Sequence, residues 1–438
     1  MTQVIFSFDT EDYTNPGADD AVLYLARALS AEGVRGCFNM VGELACTWEE
    51  RGREDLIRAL ALHEIDFHSW RHTWHPTLVE YGDCSDWHAG YARFWNEERR
   101  ASQAVKRIFR RDALFAAVPP GNCIASQAPY VYHDLGIPLY SGSLFKGTGG
   151  KSIWYCNQLN LENNLYLDDV LWNEGAEAFL KRADSLLDYQ RVIVCMHPNM
   201  SLYREFWDAL NCRGENQVPF GSWRLPERRT RQEIEGFFQG FSQILRYFKT
   251  TPGYELVTYE DVWKSERDRR RPLTRQRLIR ALRQARERFF FVRESGECFS
   301  LAELYEACIH FAGGGCGAFT PRGKRGPLQE PWALQEPAAV RAGDIQAAAA
   351  RQRVFDQVPP VLEAGGVKLG PADFMWAVLA LLEGQEEIRL TPFDCRVRTE
   401  NYYSFEDFTL KGTWMHAPDF ADRFTTSRLR LQAWTIRE

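Results

Sequence analysis

Residues 3–12 of the chain are QVIFSFDTED. The first six of these residues are mostly apolar and predict a short strand. Three carboxylates, Asp9, Glu11 and Asp12, follow at its end. Parallel α/β folds place their active sites at the carboxyl ends of the strands, so this stretch predicts both a strand and a chemical site.

Similar apolar runs recur as far as residue 257, and segments with helical spacing separate them. The runs that predict strands are residues 34–41, 65–67, 113–118, 191–196 and 254–257. The segments that predict helices are residues 19–32, 56–62, 90–109, 176–188 and 230–248. This alternation favours a parallel α/β sheet or barrel.

A histidine pair follows one of these runs. Residues 68–72 are HSWRH, so His68 and His72 are four residues apart and can share one face of a helical turn. Two imidazoles placed in this way can bind one metal ion together with a carboxylate from a strand end. A second carboxylate can then act as the base for water. A pair of ordinary structural histidines is the alternative.

The acidic loop and a third histidine each have two interpretations. Three carboxylates within four residues are costly unless a cation neutralises them, but a carboxylate at a strand end also caps a following helix. His197 ends the apolar run at residues 192–196. It is either a core histidine or a general acid that protonates a leaving group.

Composition limits the classes of function. The 438 residues predict more than one domain, and the net charge of −6 argues against broad nucleic-acid binding. No run approaches the ~18 apolar residues of a membrane span, and no secretory signal is visible. The eleven cysteines are scattered without a CxxC pair, so we expect free thiols and a cytoplasmic protein.

Arginine is concentrated in residues 265–288, where it interleaves with a few apolar residues. We place the domain boundary here. The predicted parts are an α/β domain at 1–264, a basic helical linker at 265–290 and an α-rich accessory domain at 291–438. A nucleic-acid or anionic-lipid patch is the alternative for the linker.

Taken in order, six motifs of residues 1–263 resemble the polysaccharide deacetylase family (NodB homology, family 4 carbohydrate esterases). They are FSFDTED (6–12), GCFNMVG (36–42), HEIDFHSWRH (63–72), the Pro-Gly turn (120–121), VIVCMHP (192–198) and GYELVTYEDV (253–262). The resemblance implies a distorted (β/α) barrel of about seven parallel strands. It also implies a divalent metal, usually zinc, and hydrolysis of an N-acetyl or O-acyl group from a sugar.

The resemblance also implies residue roles. The general base falls on Asp9 and the general acid on His197. The metal carboxylate falls on Asp12 or Glu11, because the spacing here is longer than the adjacent pair commonest in the family. The implied metal histidines are His68 and His72.

Substrate contacts are expected from the turn Pro119, Pro120, Gly121 and from Trp70. Two departures from the family pattern question the catalytic efficiency. The family usually has an arginine before the Pro-Gly turn, which orients the base, but Ala117 and Val118 stand there. For the aspartate that usually partners the acid histidine, only Asp168 and Asp169 are candidates.

The C-terminal part has no ligand spacing in its histidines and shows no internal repeat. Its segments FSLAELY (299–305) and VPPVLEAGGVKLGPADFMWAVLALL (358–382) resemble pseudomurein-binding repeats of cell-wall proteins. That resemblance implies recognition of a glycan or peptide. The alternative is an α-rich accessory domain that packs on the barrel or forms a homo-oligomer.

Three functions stay open at this point. The first is a metal-dependent deacetylase that acts on a cytoplasmic sugar or glycan precursor. The second is a C–N hydrolase of the same barrel that acts on a non-sugar amide or a cyclic ureide. The third is a non-catalytic glycan-binding or assembly protein that has lost turnover.

Overall fold

A computed structural model describes residues 1–122, 125–212, 218–219, 222–267, 272–399 and 423–438. The strands are β1 (Thr2–Thr10), β2 (Cys37–Met40), β3 (Glu64–Phe67), β4 (Ala116–Ala117), β5 (Leu139–Gly142), β6 (Ile153–Tyr155), β7 (Gln158–Glu162), β8 (Leu165–Tyr166), β9 (Arg191–Met196), β10 (Tyr254–Leu256), β11 (Val292–Glu294), β12 (Glu297–Phe299), β13 (Ala338–Arg341), β14 (Leu362–Ala364), β15 (Val367–Leu369) and β16 (Glu387–Leu390).

The helices alternate with these strands in the first part of the chain and dominate the second part. They are α1 (Pro16–Ala31), α2 (Gly42–Glu50), α3 (Glu54–Leu60), α4 (Leu78–Gly82), α5 (Trp87–Phe109), α6 (Ala128–Asp134), α7 (Leu167–Asn173), α8 (Gly175–Arg182), α9 (Trp207–Asn211), α10 (Arg231–Thr250), α11 (Tyr259–Glu266), α12 (Arg275–Glu287), α13 (Leu301–Ala312), α14 (Ala342–Gln352), α15 (Pro371–Leu382) and α16 (Thr425–Leu431). Within the described ranges, no helix has the length and apolar character needed to cross a bilayer.

The chain divides into two compact units. The first unit comprises Met1–Ser152, Gln158–Arg267 and Ser404–Thr425. The second unit comprises Ile153–Asn157, Asp268–Tyr403 and Thr426–Glu438.

A parallel sheet organises the first unit. Its strands lie in the order β7-β5-β4-β3-β2-β1-β9-β8, and β10 also pairs with β1. The sheet forms a curled half-barrel with helices, which agrees with the predicted distorted (β/α) barrel. β1 pairs with three strands, so the acidic loop after it leaves the sheet at its centre.

The register of the sheet determines which side chains meet at its carboxyl edge. Asp9 on β1 is paired with Asn39 on β2, and Phe8 is paired with Met196 on β9. Because side chains alternate between the two faces of a strand, Asp9 and Asn39 point to the same face of the sheet. His197 follows β9 directly, at the same edge.

Aromatic packing holds α10 against the central strand. Phe6 on β1 makes edge-to-face contacts with Phe241 and Phe248, with ring centroids 6.1 and 6.0 Å apart. Phe8 stacks on Phe38 of β2 at 4.8 Å. These rings are buried, and such pairs add ~0.5–1.5 kcal/mol beyond the burial of their area. The site at the strand ends therefore rests on a rigid core.

The second unit contains a structural repeat. Strands β11 and β12 form an antiparallel hairpin, and α13 follows them. Strands β14 and β15 form an equivalent hairpin, and α15 follows them. The two copies are 70 residues apart at every boundary, as the starts of the hairpins (362 − 292) and of the helices (371 − 301) show.

Details of the turns and caps agree between the two copies. Each hairpin turns through two residues with positive φ, Ser295-Gly296 (54° and 80°) and Gly365-Gly366 (58° and 82°), as a type I′ turn requires. At the helix starts, Glu303 accepts the N–H of Ser300, and Asp373 accepts the N–H of Gly370. The sequence analysis found no repeat, because the spacing is shared while most residue identities differ.

The basic segment at the predicted boundary is mostly one helix of the second unit. Leu278, Ala281, Leu282 and Ala285 of α12 are buried in that unit's core. Arginines on its other positions form ion pairs, for example Arg280 with Glu294. The linker predicted at 265–290 thus contains the end of α11, the undescribed residues 268–271 and a packed helix.

Candidate metal and catalytic site

The predicted site residues gather around one cleft in the first unit. The cleft has a volume of about 240 Å³. Its lining includes the predicted base Asp9, the carboxylate of Glu11, and the imidazoles of His72 and His197. These side chains come from loops and strand ends that are up to about 190 residues apart in sequence, and the parallel sheet brings them to one edge.

A buried cluster of three potential metal ligands lies at this edge. Ligand atoms of Glu11, His68 and His72 all lie within 4.8 Å of one another. His72 Nε2 is 2.8 Å from Glu11 Oε2, and His68 Nε2 is 3.6 Å from the same oxygen. Two imidazoles and one carboxylate are a ligand set that suits zinc and leaves a position open for water.

The second nitrogen of each histidine is held by an acceptor. His68 Nδ1 lies 2.6 Å from the carbonyl oxygen of Val118, so it donates a hydrogen bond there. His72 Nδ1 lies 2.9 Å from Asp208 Oδ2, and Asp208 also accepts from the Thr73 hydroxyl at 3.0 Å. Both contacts direct the Nε2 atoms towards Glu11, as acceptors behind metal-binding histidines do.

The loop that presents the histidines is not helical. The helical turn expected for His68–His72 is wrong, because Ser69 and His72 have positive φ values of 66° and 57°. Non-glycine residues in this region cost on the order of 1–3 kcal/mol each and persist where the surroundings require them. Here the Ser69 carbonyl accepts the Gly42 N–H at 2.9 Å, which ties the loop to the start of α2.

Two buried polar atoms of the cluster show that a cation fits it. Glu11 Oε1 and His68 Nε2 are fully buried and have no hydrogen-bond partner among the described residues. Burial opposes ionisation of Glu11, but His72 and His68 beside it lower its pKa below the usual range. Burial lowers the pKa of His72, and the charges of Glu11 and Asp208 more than offset this and raise it to about 10. A divalent ion would replace the proton that His72 otherwise holds.

Asp12, the other candidate carboxylate, lies outside this cluster. Its Oδ1 accepts hydrogen bonds from the Thr14 N–H, the Thr14 hydroxyl and the Asn15 N–H at 2.8–3.1 Å. Burial raises the pKa of Asp12 to about 7 despite these bonds. Asp12 therefore has the geometry of a loop cap ahead of α1, where Asn15 in turn caps the helix.

Asp9 accepts hydrogen bonds from two buried side chains, Asn39 and Cys195. Asn39 Nδ2 donates to Asp9 Oδ1 at 2.7 Å, and both residues are buried. The other oxygen, Oδ2, lies 3.6 Å from His197 Nε2 and 3.6 Å from Cys195 Sγ. Ala117 and Val118, which stand where the family has its arginine, offer no side-chain donor. A neutral amide thus contacts the predicted base.

The aspartate that pairs with His197 is Asp168, one of the two candidates from the sequence. His197 Nδ1 is 2.8 Å from Asp168 Oδ2, and Phe206 packs edge-on against the imidazole at 4.9 Å. Burial lowers the pKa of His197, but Asp168, Glu11 and Asp9 outweigh it and raise the pKa to about 10. His197 is therefore protonated at neutral pH, with Nδ1 held by Asp168 and Nε2 3.6 Å from Asp9 Oδ2. Asp169 lines the cleft instead.

The predicted substrate-binding residues divide between two places. Pro119 and Gly121 line the cleft, whereas Pro120 is buried beside them without lining it. Trp70 lines a separate, smaller cavity of about 40 Å³. The Trp70 N–H is 3.3 Å from Glu98 on α5, whose carboxyl has its pKa raised to about 8 by burial.

Sequence analysis missed several residues that the site contains. Asn39 was visible only as part of the motif GCFNMVG, and a polar residue amid that apolar run was the available signal. Asp208 and Phe206 lie on a segment with no recognisable motif, 135 residues from Thr73 in the case of Asp208. Asn163 lines the cleft from the loop between β7 and β8.

Comparisons with known proteins give similarity of fold at low identity. No family model matches the chain, and no curated protein matches its sequence. The chain is similar to a structure assigned as a polysaccharide deacetylase from Mycobacterium smegmatis, at 14% identity and a TM-score of 0.41, over 62% of this chain and 94% of that one.

Two further similarities are of the same kind. One is to the family 4 carbohydrate esterase from Streptomyces lividans in complex with acetate, at 14% identity and a TM-score of 0.31, over 58% of this chain and 89% of that one. The other is to Puue allantoinase, at 10% identity and a TM-score of 0.42, over 61% and 91%. These values carry no information about which reaction the chain performs.

Proposed function

We propose that the chain is a metal-dependent hydrolase that removes an N-acetyl or O-acyl group from a sugar or glycan precursor. The observation that supports this most is the arrangement of three functions around one cleft. Glu11, His68 and His72 form a ligand set, Asp9 is a carboxylate beside it, and the His197–Asp168 pair faces both. Hydrolysis of an acyl group needs these three functions together.

Zinc is the cation we propose for the ligand set. A divalent ion held by Glu11, His68 and His72 supplies Lewis acidity, which lowers the pKa of water and polarises an acyl carbonyl. Asp208 and the Val118 carbonyl orient the two imidazoles for this role. Asp12 has no part in the proposal, because its Oδ1 caps the loop and its side chain is not in the group of three ligands.

The proton steps follow from the hydrogen bonds of Asp9 and His197. Asp9 accepts the proton of the attacking water, and the Asn39 amide holds the carboxylate in place while it does so. The bond from the acyl carbon to the sugar nitrogen or oxygen then breaks. His197 donates its Nε2 proton to the departing group, because Asp168 holds Nδ1 and keeps the imidazole charged.

The substrate is proposed to be cytoplasmic. The state of the cysteines supports this. None of the ten cysteines in the described part of the chain forms a disulfide bond, and several of them are buried. Free thiols are typical of a reducing compartment.

The test measures acetate release from N-acetylglucosamine and its β-1,4-linked oligomers by protein loaded with zinc. Asp9→Asn is the inactive variant, and Asp20→Asn, on an exposed side chain, is the matched control. We expect acetate from wild type and the control only. Ring opening of hydantoin in the same assay, without acetate release, would support the cyclic ureide alternative. Zinc binding with neither reaction would overturn the proposal and favour a non-catalytic protein.

A further inference from the structure

A buried hydrogen-bonded network begins at Asp9 and runs through the interior of the first unit. Asn39 Nδ2 contacts two oxygens, Asp9 Oδ1 at 2.7 Å and Ser7 Oγ at 2.8 Å. Asn39 and Ser7 are completely buried. One amide nitrogen has two protons, so these two contacts use both of them.

The network continues from Ser7 to the wall of the cleft. Tyr259 Oη on α11 lies 2.9 Å from Ser7 Oγ and 3.0 Å from Ser141 Oγ on β5. Ser141 Oγ in turn lies 2.6 Å from Asn163 Oδ1. Asn163 lines the cleft, so the network joins the predicted base to a side chain on the cleft wall.

Asp9 fixes the direction in which protons point along this network. A carboxylate oxygen can only accept, so the Asn39 amide must turn its nitrogen towards Asp9. The same nitrogen then donates to Ser7. With that bond accepted, the Ser7 proton needs an acceptor, and Tyr259 Oη is the one that contacts it among the described residues.

The hydroxyls of Tyr259 and Ser141 have one proton each, so the donor in one hydrogen bond determines the donor in the next. A phenol has one proton, so Tyr259 cannot donate to both serines. Tyr259 Oη has donor geometry towards both serines, and we assign its one proton to Ser141, because Ser7 then has Tyr259 as its acceptor. Ser141 in turn donates to Asn163 Oδ1. In the opposite direction, the Ser7 proton would be buried without an acceptor, which costs ~1–3 kcal/mol.

The end of the network decides what Asn163 offers to a ligand. Ser141 donates to Asn163 Oδ1, and this bond fixes which branch of the amide is the oxygen and which is the nitrogen. The nitrogen branch, Nδ2, keeps its two protons as donors, while Oδ1 keeps one lone pair. We propose that Asn163 is a specificity-determining residue that donates a hydrogen bond to an acceptor oxygen of the substrate. A hydroxyl, ether or carbonyl oxygen can accept from Nδ2, whereas an ammonium or another N–H group cannot.

The identity of the substrate in this inference rests on the proposed hydrolase function. The direction of the hydrogen bonds rests on the network alone. Both parts predict that Asn163 discriminates by chemistry and not by size. An amide that was free to rotate could offer either its oxygen or its nitrogen. The network removes that freedom, and every buried hydroxyl between Asp9 and Asn163 is needed to do so.

A neutron structure of the perdeuterated protein tests the direction without any substrate. We expect the deuterium of Ser141 on the line to Asn163 Oδ1, and that of Ser7 on the line to Tyr259. Deuterium on Asn163 pointing at Ser141 would overturn the inference. This result stands whether or not the protein hydrolyses the sugars tested.

Kinetics with N-acetylglucosamine oligomers test the substrate contact. Asn163→Asp replaces the donor by an acceptor of the same shape, and we expect KM to rise about 10-fold to 100-fold while kcat changes less. Tyr259→Phe interrupts the network, and we expect a KM increase of about 2-fold to 5-fold with zinc content unchanged. Asn173→Asp, on the exposed end of α7, is the matched control.

Unchanged KM and kcat in Asn163→Asp, in an otherwise active protein, would overturn the contact. Should Asn163→Asp fail to fold, Asn163→Ala decides, since it removes the donor without adding charge and is expected to raise KM similarly. If the wild-type protein releases no acetate while binding zinc, the proposed function fails and the substrate contact falls with it. The neutron result would then still report on the network.

Discussion

Two buried clusters in the first unit have the composition of metal sites, and they differ in almost everything else. Each has three potential ligand side chains whose ligand atoms lie within 4.8 Å of one another. The upper cluster, at the carboxyl edge of the sheet, is Glu11, His68 and His72. The lower cluster is Cys37, Glu64 and Asp66, in which Cys37 and Glu64 are the first residues of β2 and β3 and Asp66 is the third residue of β3.

The two clusters differ in their hydrogen bonds. In the lower cluster, Asp66 accepts the N–H groups of Phe115 and Ala116, and Glu64 accepts that of Glu260. Burial raises the pKa of Asp66 to about 7 and that of Glu64 well above its usual range. These carboxyls are therefore neutral or share a proton near pH 7. Their role is to accept hydrogen bonds from backbone N–H groups.

The two clusters also differ in their access to the cleft. Glu11 and His72 line the cleft, whereas no residue of the lower cluster does. The lesson is that proximity of ligand atoms does not make a metal site. The histidines of the upper cluster are turned towards one point by acceptors behind them, and that orientation is what the lower cluster lacks.

Removal of the histidines should give the largest contrast. We expect wild type to bind about one divalent ion per chain, and His68→Ala or His72→Ala to bind none, because two protein ligands cannot retain it. Asp66→Asn in the lower cluster should keep the full content. Elemental analysis after dialysis against zinc measures this. Metal loss in Asp66→Asn would reverse the assignment of the two clusters.

Asp9 lies beside the upper cluster but outside its ligand set. Asp9→Asn should therefore keep its zinc and lower kcat by about 10²-fold to 10⁴-fold, the usual contribution of a general base. Zinc content and acetate release are measured on the same sample. If the variant loses zinc instead, Asp9 belongs to the ligand set.

Asp208 provides the orientation that distinguishes the upper cluster. Asp208→Asn leaves the shape of the contact to His72 but removes its charge. We expect zinc affinity to fall about 10-fold to 100-fold, as for other carboxylates behind metal-binding histidines. Competition with a zinc-binding dye measures it, with Asp20→Asn as the control. Unchanged affinity would show that Asp208 only supports the fold.

The His197–Asp168 pair should control the alkaline side of the pH profile. The charged form of His197 is the acid, and Asp168 helps to raise its pKa to about 10, so kcat should fall only as pH approaches that value. Asp168→Asn removes the anion, and burial then favours the neutral imidazole. We expect the alkaline limb to move down by about 1–3 pH units. A limb that stays in place would exclude His197 as the acid.

The smallest effect expected concerns the lower cluster. Because the pKa of Asp66 is raised in the folded state, folding stability is complete below the ordinary carboxyl pKa of ~4 and falls as pH rises towards 7. Thermal unfolding of wild type should show a Tm several degrees lower at pH 8 than at pH 5, at about 2–4 °C per kcal/mol. Asp66→Asn cannot ionise, so its Tm should change less over that range. Equal slopes would contradict the assignment.

Sequence patterns predicted the elements whose signals are local. The strand β9 was predicted with the bounds that it has, and β1 and α10 within a few residues. Helix α1 begins three residues earlier than expected, because Asn15 caps it and Pro16 occupies its first position. The run at 113–118 forms only the two-residue strand β4, since Pro119 follows.

The site was predictable where motif and strand end coincide, and not where contacts are long-range. Asp9, His68 and His197 are at strand ends, so their meeting follows from a parallel sheet. Asp208 reaches His72 from a five-residue helix with no periodicity of its own. Whether Glu11 or Asp12 is the metal ligand depends on which of the two side chains caps the loop. The backbone conformation of single residues decides this, and the spacing of residues in the sequence does not reveal that conformation.

The repeat in the second unit has a consequence for how that unit unfolds. Helix α12 packs against both α13 and α15, and α14 packs against the same two helices. Helices α13 and α15, one from each copy, also pack against each other, so the two copies share one core. Repeats that stack in an open array can gain or lose members, since every interface is the same. The two copies here share one core instead, so a substitution that unfolds one copy should unfold the other with it.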